Sequence, residues 1–558
     1  MNTSYKIDPS RLASLLSEFK ASRPQAQVSE SSTKISDQTS DSIDFNTVNK
    51  YGQSIILNAK QKEFVSLAST GKSCVLIGAA GTGKTTSQFS AVQNLIQSGL
   101  AGVLTDFGHK HLVPGAPGIV VCAYTRRAVS NIRQNMPEDM AGNCITIHKL
   151  LEYSPVYHDF QNEFGETKTK MLFEPMRNSG NPLSESIHTI ILEETSMLSV
   201  AFYKEVKDAC PHDVQLIFLG DIQQLPPIFG PAILGFKLLE LPTIELTEVY
   251  RQALESPIIS LAHRILSAKP IPAEEFPSWA KPNQLTIRPW KKKISPESAL
   301  NTLGQLFSAA YDNKEYDPEE DMILIPFNKA CGTDELNKKI ANHIAKKNNR
   351  IVHQIVAGFN KVHLSVGEKV LYDKEDAIVK SIEKNPTYYG AHYLPASKTL
   401  DYWGHDSSHH TDSSDDSGED NMDFLLQSVA ISGQDEERVK KCSHIITLTL
   451  RDSEREIKVD AAGDVNSLLL GYSLTVHKAQ GSEWRKVFFI LHQSHATMIQ
   501  RELLYTAITR AKEELIVICE PDSLTKGILS QRVKGDTLAE KAEFFKGKLD
   551  SGFDLEGY

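Results

Sequence analysis

The run Gly78-Ala-Ala-Gly-Thr-Gly-Lys-Thr85 is the segment of this sequence best suited to chemistry. Its glycines let backbone N–H groups close around an anion, its lysine can reach outer phosphates, and its threonine hydroxyl can ligate Mg²⁺. Gly78, Ala79, Ala80, Gly81, Thr82, Gly83, Lys84, Thr85 and Thr86 are therefore the expected phosphate cradle, with Lys84 as its charged member. A strand-like run, Cys74 to Gly78, precedes the loop and a helical stretch follows it, which is the setting that such a loop requires. Hydrolysis needs acids as well, one beside the metal and one to activate water. The run Thr189 to Met197 ends a buried strand in adjacent carboxylates, Glu193 for the metal and Glu194 as general base. ATP with Mg²⁺ is the cofactor pair that this chemistry implies.

The elements that must hold these residues are legible as short apolar runs. Cys74–Gly78, Gly118–Cys122, Thr189–Leu192 and Val214–Leu219 alternate with helical stretches, as do Met322–Pro326, Val487–Leu491 and Leu515–Cys519. Buried strands alternating with helices predict parallel α/β sheets, and two sets of runs predict two such domains. Strand-like segments at Glu368–Tyr372 and His444–Leu450 suggest a small β domain inserted in the second. The expected division is a flexible tail over 1–47 and a first α/β domain over 48–258 with an insertion near 152–186. The second α/β domain would take 259–350 and 466–525, the inserted β domain 351–465, and a C-terminal extension 526–558.

A chain of 558 residues is long enough for several cores. A net charge of −10 argues at first against a nucleic-acid partner. The segment Thr399–Glu437, however, holds eleven acidic residues and no Lys or Arg, so the rest carries about +1. A near-neutral body can still present a basic channel. That segment reads as a disordered loop, and His405, His409 and His410 within it are more often solvated than metal-bound. The seven cysteines are scattered without a CxxC pair, which suggests neither zinc nor a disulfide framework. No apolar run reaches membrane-spanning length and the start lacks a secretory signature, so an intracellular protein with no membrane partner is expected. Leu12, Leu15, Leu16 and Phe19 share one helical face in the tail. They suit a docked helix or a partner-binding peptide.

Further motifs follow in order. LNAKQ ends at Gln61, AYTRRA spans Ala123–Ala128, and TIHKLL spans Thr146–Leu151. GDIQQLPPI spans Gly220–Ile228, LTEVYRQ contains Arg251, SLTVHKAQGSEW spans Ser473–Trp484, and LLYTAITRAK contains Arg510. Together with the phosphate loop they resemble the superfamily 1 helicases, in particular the RecD-like branch that includes Dda-type phage motors. The resemblance implies two RecA-like motor domains, a hairpin insertion in the first and an SH3-like β domain in the second. It also implies 5′→3′ translocation on single-stranded DNA, with fork or tailed duplex as substrate and a monomer as the working unit. Gln61 would read adenine, Gln224 would sit at the γ-phosphate, Arg251 and Arg510 would arrive across the cleft, and Gly481 and Glu483 would reach the nucleotide from the second domain. Tyr124, Thr125, Arg126, His148, Thr475 and His477 would line the strand. Phe173, on a hairpin between the motifs, would be the duplex-splitting pin.

One position departs from the family, whose second motif begins with Asp where this chain has Glu193. The extra methylene moves the carboxylate outward, while Mg²⁺ demands near-ideal octahedral geometry. Two other readings are open from sequence: a superfamily 1 RNA helicase, and a nucleotide-switched loader that binds DNA without unwinding it.

Overall fold

The computed structural model describes residues 43–48, 54–100, 118–161, 167–211, 214–227, 231–250, 253, 255–290, 294–358, 360–372, 375–388, 441–451 and 455–550. The tail helix, the acidic loop with its histidines, and Arg251 lie outside these residues. Ile43 falls in a separate N-terminal unit, and everything below concerns the compact unit Asp44–Tyr558.

The first α/β body runs through helix α1 (Ala59–Ala68), β1 (Cys74–Gly78), α2 (Lys84–Gln97), β2 (Gly118–Ala123), α3 (Arg126–Asn135) and β3 (Cys144–Thr146). It continues with a hairpin, β4 (Ser154–Gln161) and β5 (Thr167–Glu174), then β6 (Ile187–Leu192), α4 (Val200–Ala209), β7 (Gln215–Gly220), α5 (Ile233–Glu240) and β8 (Thr243–Leu246). Six of these strands form one sheet in the order β8-β1-β7-β6-β2-β3, every pair parallel. Strands β1, β2 and β7 are buried along their whole length. Burial on both faces is why they read as continuous apolar runs rather than alternating ones.

The second body opens on α6 (Pro257–Leu266), whose Pro lies in its first turn, where a missing N–H costs nothing. It proceeds through β9 (Leu285–Pro289), α7 (Pro296–Asp312), β10 (Asp321–Ile325) and α8 (Thr333–Lys347). The chain then leaves for the insertion: β11 (Val352–Ala357), β12 (Asn360–Ser365), β13 (Lys369–Tyr372), β14 (Glu375–Lys384), β15 (Lys441–Leu450), β16 (Glu456–Ala461) and β17 (Leu469–Leu470). It returns through β18 (Ser473–Thr475), β19 (Trp484–Leu491), α9 (Arg501–Ile508), β20 (Ala511–Cys519) and α10 (Pro521–Leu529). The second sheet is again wholly parallel, in the order β9-β20-β19-β10-β18.

Strand periodicity divides its core in two. Met322, Leu324, Val487, Phe489, Leu515 and Val517 pack on one face with α6, α9 and α10. Ile323, Ile325, Phe488, Ile490, Ile516 and Ile518 pack on the other with α7 and α8. Side chains alternate across a strand, so each run feeds both cores. The insertion is antiparallel throughout, ordered β12-β11-β15-β14-β13-β17 with β16 on β15. Register shifts at Val379/Ser381 and at Lys441/Ile446 bend this sheet. It encloses its own small core of Ile355, Val370, Val379, Ile446 and Leu448.

The C-terminal helix α11 (Leu538–Asp550) packs back onto α5 of the first body, with the Phe545 and Phe236 rings 5.4 Å apart. A Cβ on Gly235 would stand 2.3 Å from the Phe545 ring, so the contact depends on that glycine. Helix α11 thus straps the second α/β body to the first.

Candidate nucleotide site and domain cleft

The carboxyl ends of β1, β6 and β7, neighbours in the first sheet, bring three loops together. This is where parallel α/β sheets bind ligands. After β1 comes the phosphate loop, which turns into α2 through Gly81 and Gly83, both at positive φ. A Cβ on Gly83 would lie 2.5 Å from Gln61 Nε2 and 2.7 Å from the Tyr250 ring, so no other residue fits there without displacing them. Lys84 Nζ donates to the carbonyls of Gly78 (2.5 Å) and Ala79 (3.3 Å), which folds the loop around the ammonium. Thr82 closes the turn by donating its hydroxyl to Ala79 O at 2.8 Å. Thr85 and Thr86 open α2, and Thr85 is exposed.

Gln61 is fully buried and heavily engaged. Its amide oxygen accepts from Asn58 N–H at 2.9 Å and from the Tyr250 hydroxyl, while Nε2 donates to Gly83 O at 3.3 Å. The capping box at the start of α1 and the floor of the phosphate loop are thereby one construction.

After β6 stand Glu193 and Glu194. Burial pushes the Glu193 carboxyl up to about 7; Glu194 beside it adds to the rise, and Lys84 opposes it. Glu194 holds the left-handed backbone conformation, φ 52, that a side chain rarely adopts. Such strain concentrates at functional positions. After β7, Gln224 is buried with its amide oxygen unpartnered among the described residues.

The second body meets these loops through several contacts. Tyr505 of α9 accepts a hydrogen bond from Ala80 N–H at 2.7 Å and donates to Asp221 Oδ2 at 2.6 Å. Thr506 Oγ1 accepts from Leu225 N–H, and Gln480 Nε2 donates to Leu225 O. Arg510 is buried and donates to the carbonyls of Thr506 (3.0 Å) and Ser482 (3.2 Å) within its own body. The structure places Gly481 against α3: a Cβ there would lie 2.6 Å from Thr125 Oγ1. Glu483 is exposed with Lys512 at 3.8 Å.

The residues expected to line the strand fall into three groups. Thr125 caps α3, accepting from Ala128 N–H at 3.1 Å, and Arg126 begins that helix with Glu375 of the insertion at 3.3 Å. Tyr124 and His148 belong to an aromatic cluster with Phe202 and Tyr153, the His148 ring lying 5.0–5.2 Å from the other three. Thr475 is buried and accepts from Lys478 N–H. Burial, with Arg532 nearby, lowers the His477 pKa to about 4, so it would meet the strand as a neutral ring at pH 7. Trp484 is buried and carries the Arg127 guanidinium 4.6 Å from its ring centre. Phe173 pairs with Pro155 at the base of the β4–β5 hairpin. That is six register steps, about 20 Å, from the distal pair Gln161↔Thr167.

Four residues that join the bodies were not singled out by the sequence: Tyr505, Asp221, Arg127 and Asp376. The first three sit inside motifs that were read for other residues. Nothing in the local pattern around Asp376 marks it. Among the described residues no group of three or more His, Cys, Asp or Glu gathers as a metal site. Nor is any helix long and apolar enough to cross a membrane.

Comparison with known proteins agrees with this geometry. Residues 61–230 match the AAA domain family, and residues 470–518 match the UvrD-like helicase C-terminal domain. The chain is 26% identical over 456 residues to the ATP-dependent RecD2 DNA helicase of Deinococcus radiodurans. That match covers 79% of this chain and 46% of the relative, so the chain spans about half the relative's length. It is 32% identical over 83 residues to the RecBCD enzyme subunit RecD of Mycobacterium tuberculosis, 15% of this chain and 14% of that one. Among solved structures, the Pif1 helicase of Candida albicans aligns at TM-score 0.43 and 17% identity over 89% of this chain and 99% of its own.

Proposed function

We propose that the chain is a superfamily 1 helicase of the RecD-like branch and works as an ATP-driven motor. It translocates 5′→3′ on single-stranded DNA and unwinds forked or tailed duplex. The observation that carries this reading is the cross-body contact at the phosphate loop: a side chain of the second parallel-sheet body is hydrogen-bonded to Ala80 of the first. A cleft built in this way converts events at the nucleotide into relative motion of two bodies.

The phosphate-loop amides and Lys84 would bind the outer phosphates, with Gln61 and Tyr250 bracing the loop from below. The residues fit Mg²⁺, which takes only one or two protein ligands. Thr85 and Glu193 supply oxygen donors, and the raised pKa of Glu193 marks a carboxylate that a nearby cation would stabilise. The metal, when bound, neutralises developing phosphate charge. Glu194 would take the proton of the attacking water, its carboxylate aimed by the left-handed turn. Gln224 would orient that water, and Arg251 and Arg510 would offset the transition-state charge. Thr125, Arg126, His148 and Thr475 would contact the strand on the motor face, His477 as a neutral dipole. Gly481, through its contact with Thr125, would connect the two bodies there. The β4–β5 hairpin is the proposed strand splitter and the inserted sheet the proposed SH3-like module. Replication, recombination or repair is the proposed setting.

The test is strand displacement on 5′-tailed and 3′-tailed DNA and RNA duplexes with ATP and Mg²⁺. Unwinding of 5′-tailed DNA alone is expected. Exclusive use of 3′-tailed DNA overturns the polarity, and preference for RNA overturns the substrate class. DNA-stimulated ATP turnover with no unwinding of any duplex would identify a nucleotide-switched loader instead.

A further inference from the structure

Tyr505 occupies an unusual chemical position. It is fully buried on α9 of the second body, yet its hydroxyl serves two groups of the first. Ala80 N–H can only donate, so the phenol oxygen accepts from it. The single phenol proton is then committed to Asp221 Oδ2, whose other oxygen accepts from Gln223 N–H at 2.9 Å. Asp221 is itself buried, so its carboxylate has little water to replace a lost donor.

The next residue of the helix extends the linkage, because Thr506 holds Leu225 N–H at 2.9 Å while Gln480 holds Leu225 O at 2.8 Å. The segment Asp221–Leu225 is thus fastened to the second body at both ends. Between them lies Gln224, with its buried amide oxygen free of partners among the described residues.

Ala80 lies within the loop proposed to cradle phosphate. A phosphate oxygen and the Tyr505 oxygen are both acceptors, and one N–H cannot satisfy both at full strength. Phosphate drawn to this amide must therefore displace the phenol. We propose that Tyr505 is a positioning residue that competes with nucleotide phosphate for Ala80 N–H. Its release passes nucleotide occupancy to Asp221, to the Gln224 segment and to the second body. This inference deepens the nucleotide-site reading and rests on it.

The competition has a sign. Removing the hydroxyl should strengthen nucleotide binding, because phosphate no longer displaces a hydrogen bond. It should also weaken the response to DNA, because occupancy is no longer passed on. Tyr505→Phe keeps the ring and its packing; Asp221→Asn weakens the same link from its other end. The experiment uses the full chain and measures fluorescent ADP binding without DNA, then kcat and KM for ATP with saturating oligo-dT.

Tyr505→Phe is expected to tighten ADP by roughly three- to tenfold, the worth of one hydrogen bond, and to lower DNA-stimulated kcat while KM falls. Asp221→Asn should move both quantities in the same direction and reports on the link even if the tyrosine variant fails to fold. The double variant should be no further from wild type than the more affected single one, since both changes cut one linkage. ADP affinity and kcat within twofold of wild type in both single variants, or multiplying effects in the double variant, would overturn the relay. Failure of the wild-type chain to bind ADP at all would instead overturn the nucleotide-site reading beneath it.

Discussion

Arg127 Nη2 stands 2.5 Å from Asp376 Oδ2, and this ion pair joins a motor helix to the inserted sheet. Arg127 lies in the first turn of α3, Asp376 in β14, and the face of Trp484 from β19 carries the same guanidinium. Three bodies therefore meet on one side chain. Lys369 Nζ, 3.7 Å from the same carboxylate oxygen, completes a buried cluster in which Asp376 and Lys369 are each 3% exposed. Burial alone would raise the Asp376 pKa, but Lys369 and Arg127 outweigh it and hold the carboxyl below its usual value.

Asp376→Asn would leave a buried cation, Lys369, and the half-buried Arg127 without their anion. Removing one partner of such a cluster costs about 3–5 kcal/mol. Urea unfolding should show a loss of that order, against little change for Lys60→Ala in an exposed pair. Equal stability of the two variants would mean that the insertion is not held to the motor through this pair.

The acids after β6 should separate by role. Glu194→Gln is expected to bind ATP normally and to lose nearly all turnover, whereas Lys84→Ala should lose turnover while remaining folded. Glu193→Asp restores the shorter side chain found in the family and should retain activity. Nucleotide binding and DNA-stimulated phosphate release, measured on the three variants, check the assignment. Substantial turnover by Lys84→Ala would remove the phosphate loop from the mechanism.

Stability should vary with pH in a predictable direction at Glu193. Its folded pKa is about 7, against an ordinary value of 4.5, so the folded state binds the extra proton and is favoured when that proton is present. The benefit is complete below about pH 4.5 and disappears as pH rises through 7. Above that the ionised carboxylate costs at most about 3 kcal/mol. Glu193→Gln, neutral throughout, should therefore melt higher than wild type at pH 8, with the gap closing towards pH 5. Thermal unfolding across that range without magnesium or nucleotide decides it, and a constant gap would show that Glu193 is not the titrating group.

Strand separation should depend on the hairpin more than on the motor. An aromatic face can replace the stacking that a splayed base loses, worth about 1–3 kcal/mol per base. Phe173→Ala is expected to leave DNA-stimulated ATP hydrolysis near normal and to reduce unwinding at least about tenfold. Because Phe173 lies at the hairpin base, that result would place the splitting contact there rather than at the tip. Unwinding at the wild-type rate would remove Phe173 from the mechanism.

The sequence by itself determined the two parallel sheets and the order of the motifs along them. Doubly buried strands need uninterrupted apolar runs, and a phosphate loop needs glycine at fixed spacing, so both leave local signatures. The hairpin was visible as an interval between motifs, and its strands pair in register from Ser154↔Glu174 to Gln161↔Thr167. What the sequence could not disclose lies between bodies. Tyr505 and Ala80 are 425 residues apart, and Arg127 and Asp376 are 249 apart. Neither pair has a local pattern, because a tyrosine on a helix or an aspartate opening a strand looks the same whether it faces water or another domain. His477 shows the same limit, since its lowered pKa comes from burial and from Arg532, fifty-five positions further along the chain. Local periodicity records which face of an element is covered; only the tertiary structure decides what covers it, and hence which charges and hydrogen bonds are shared.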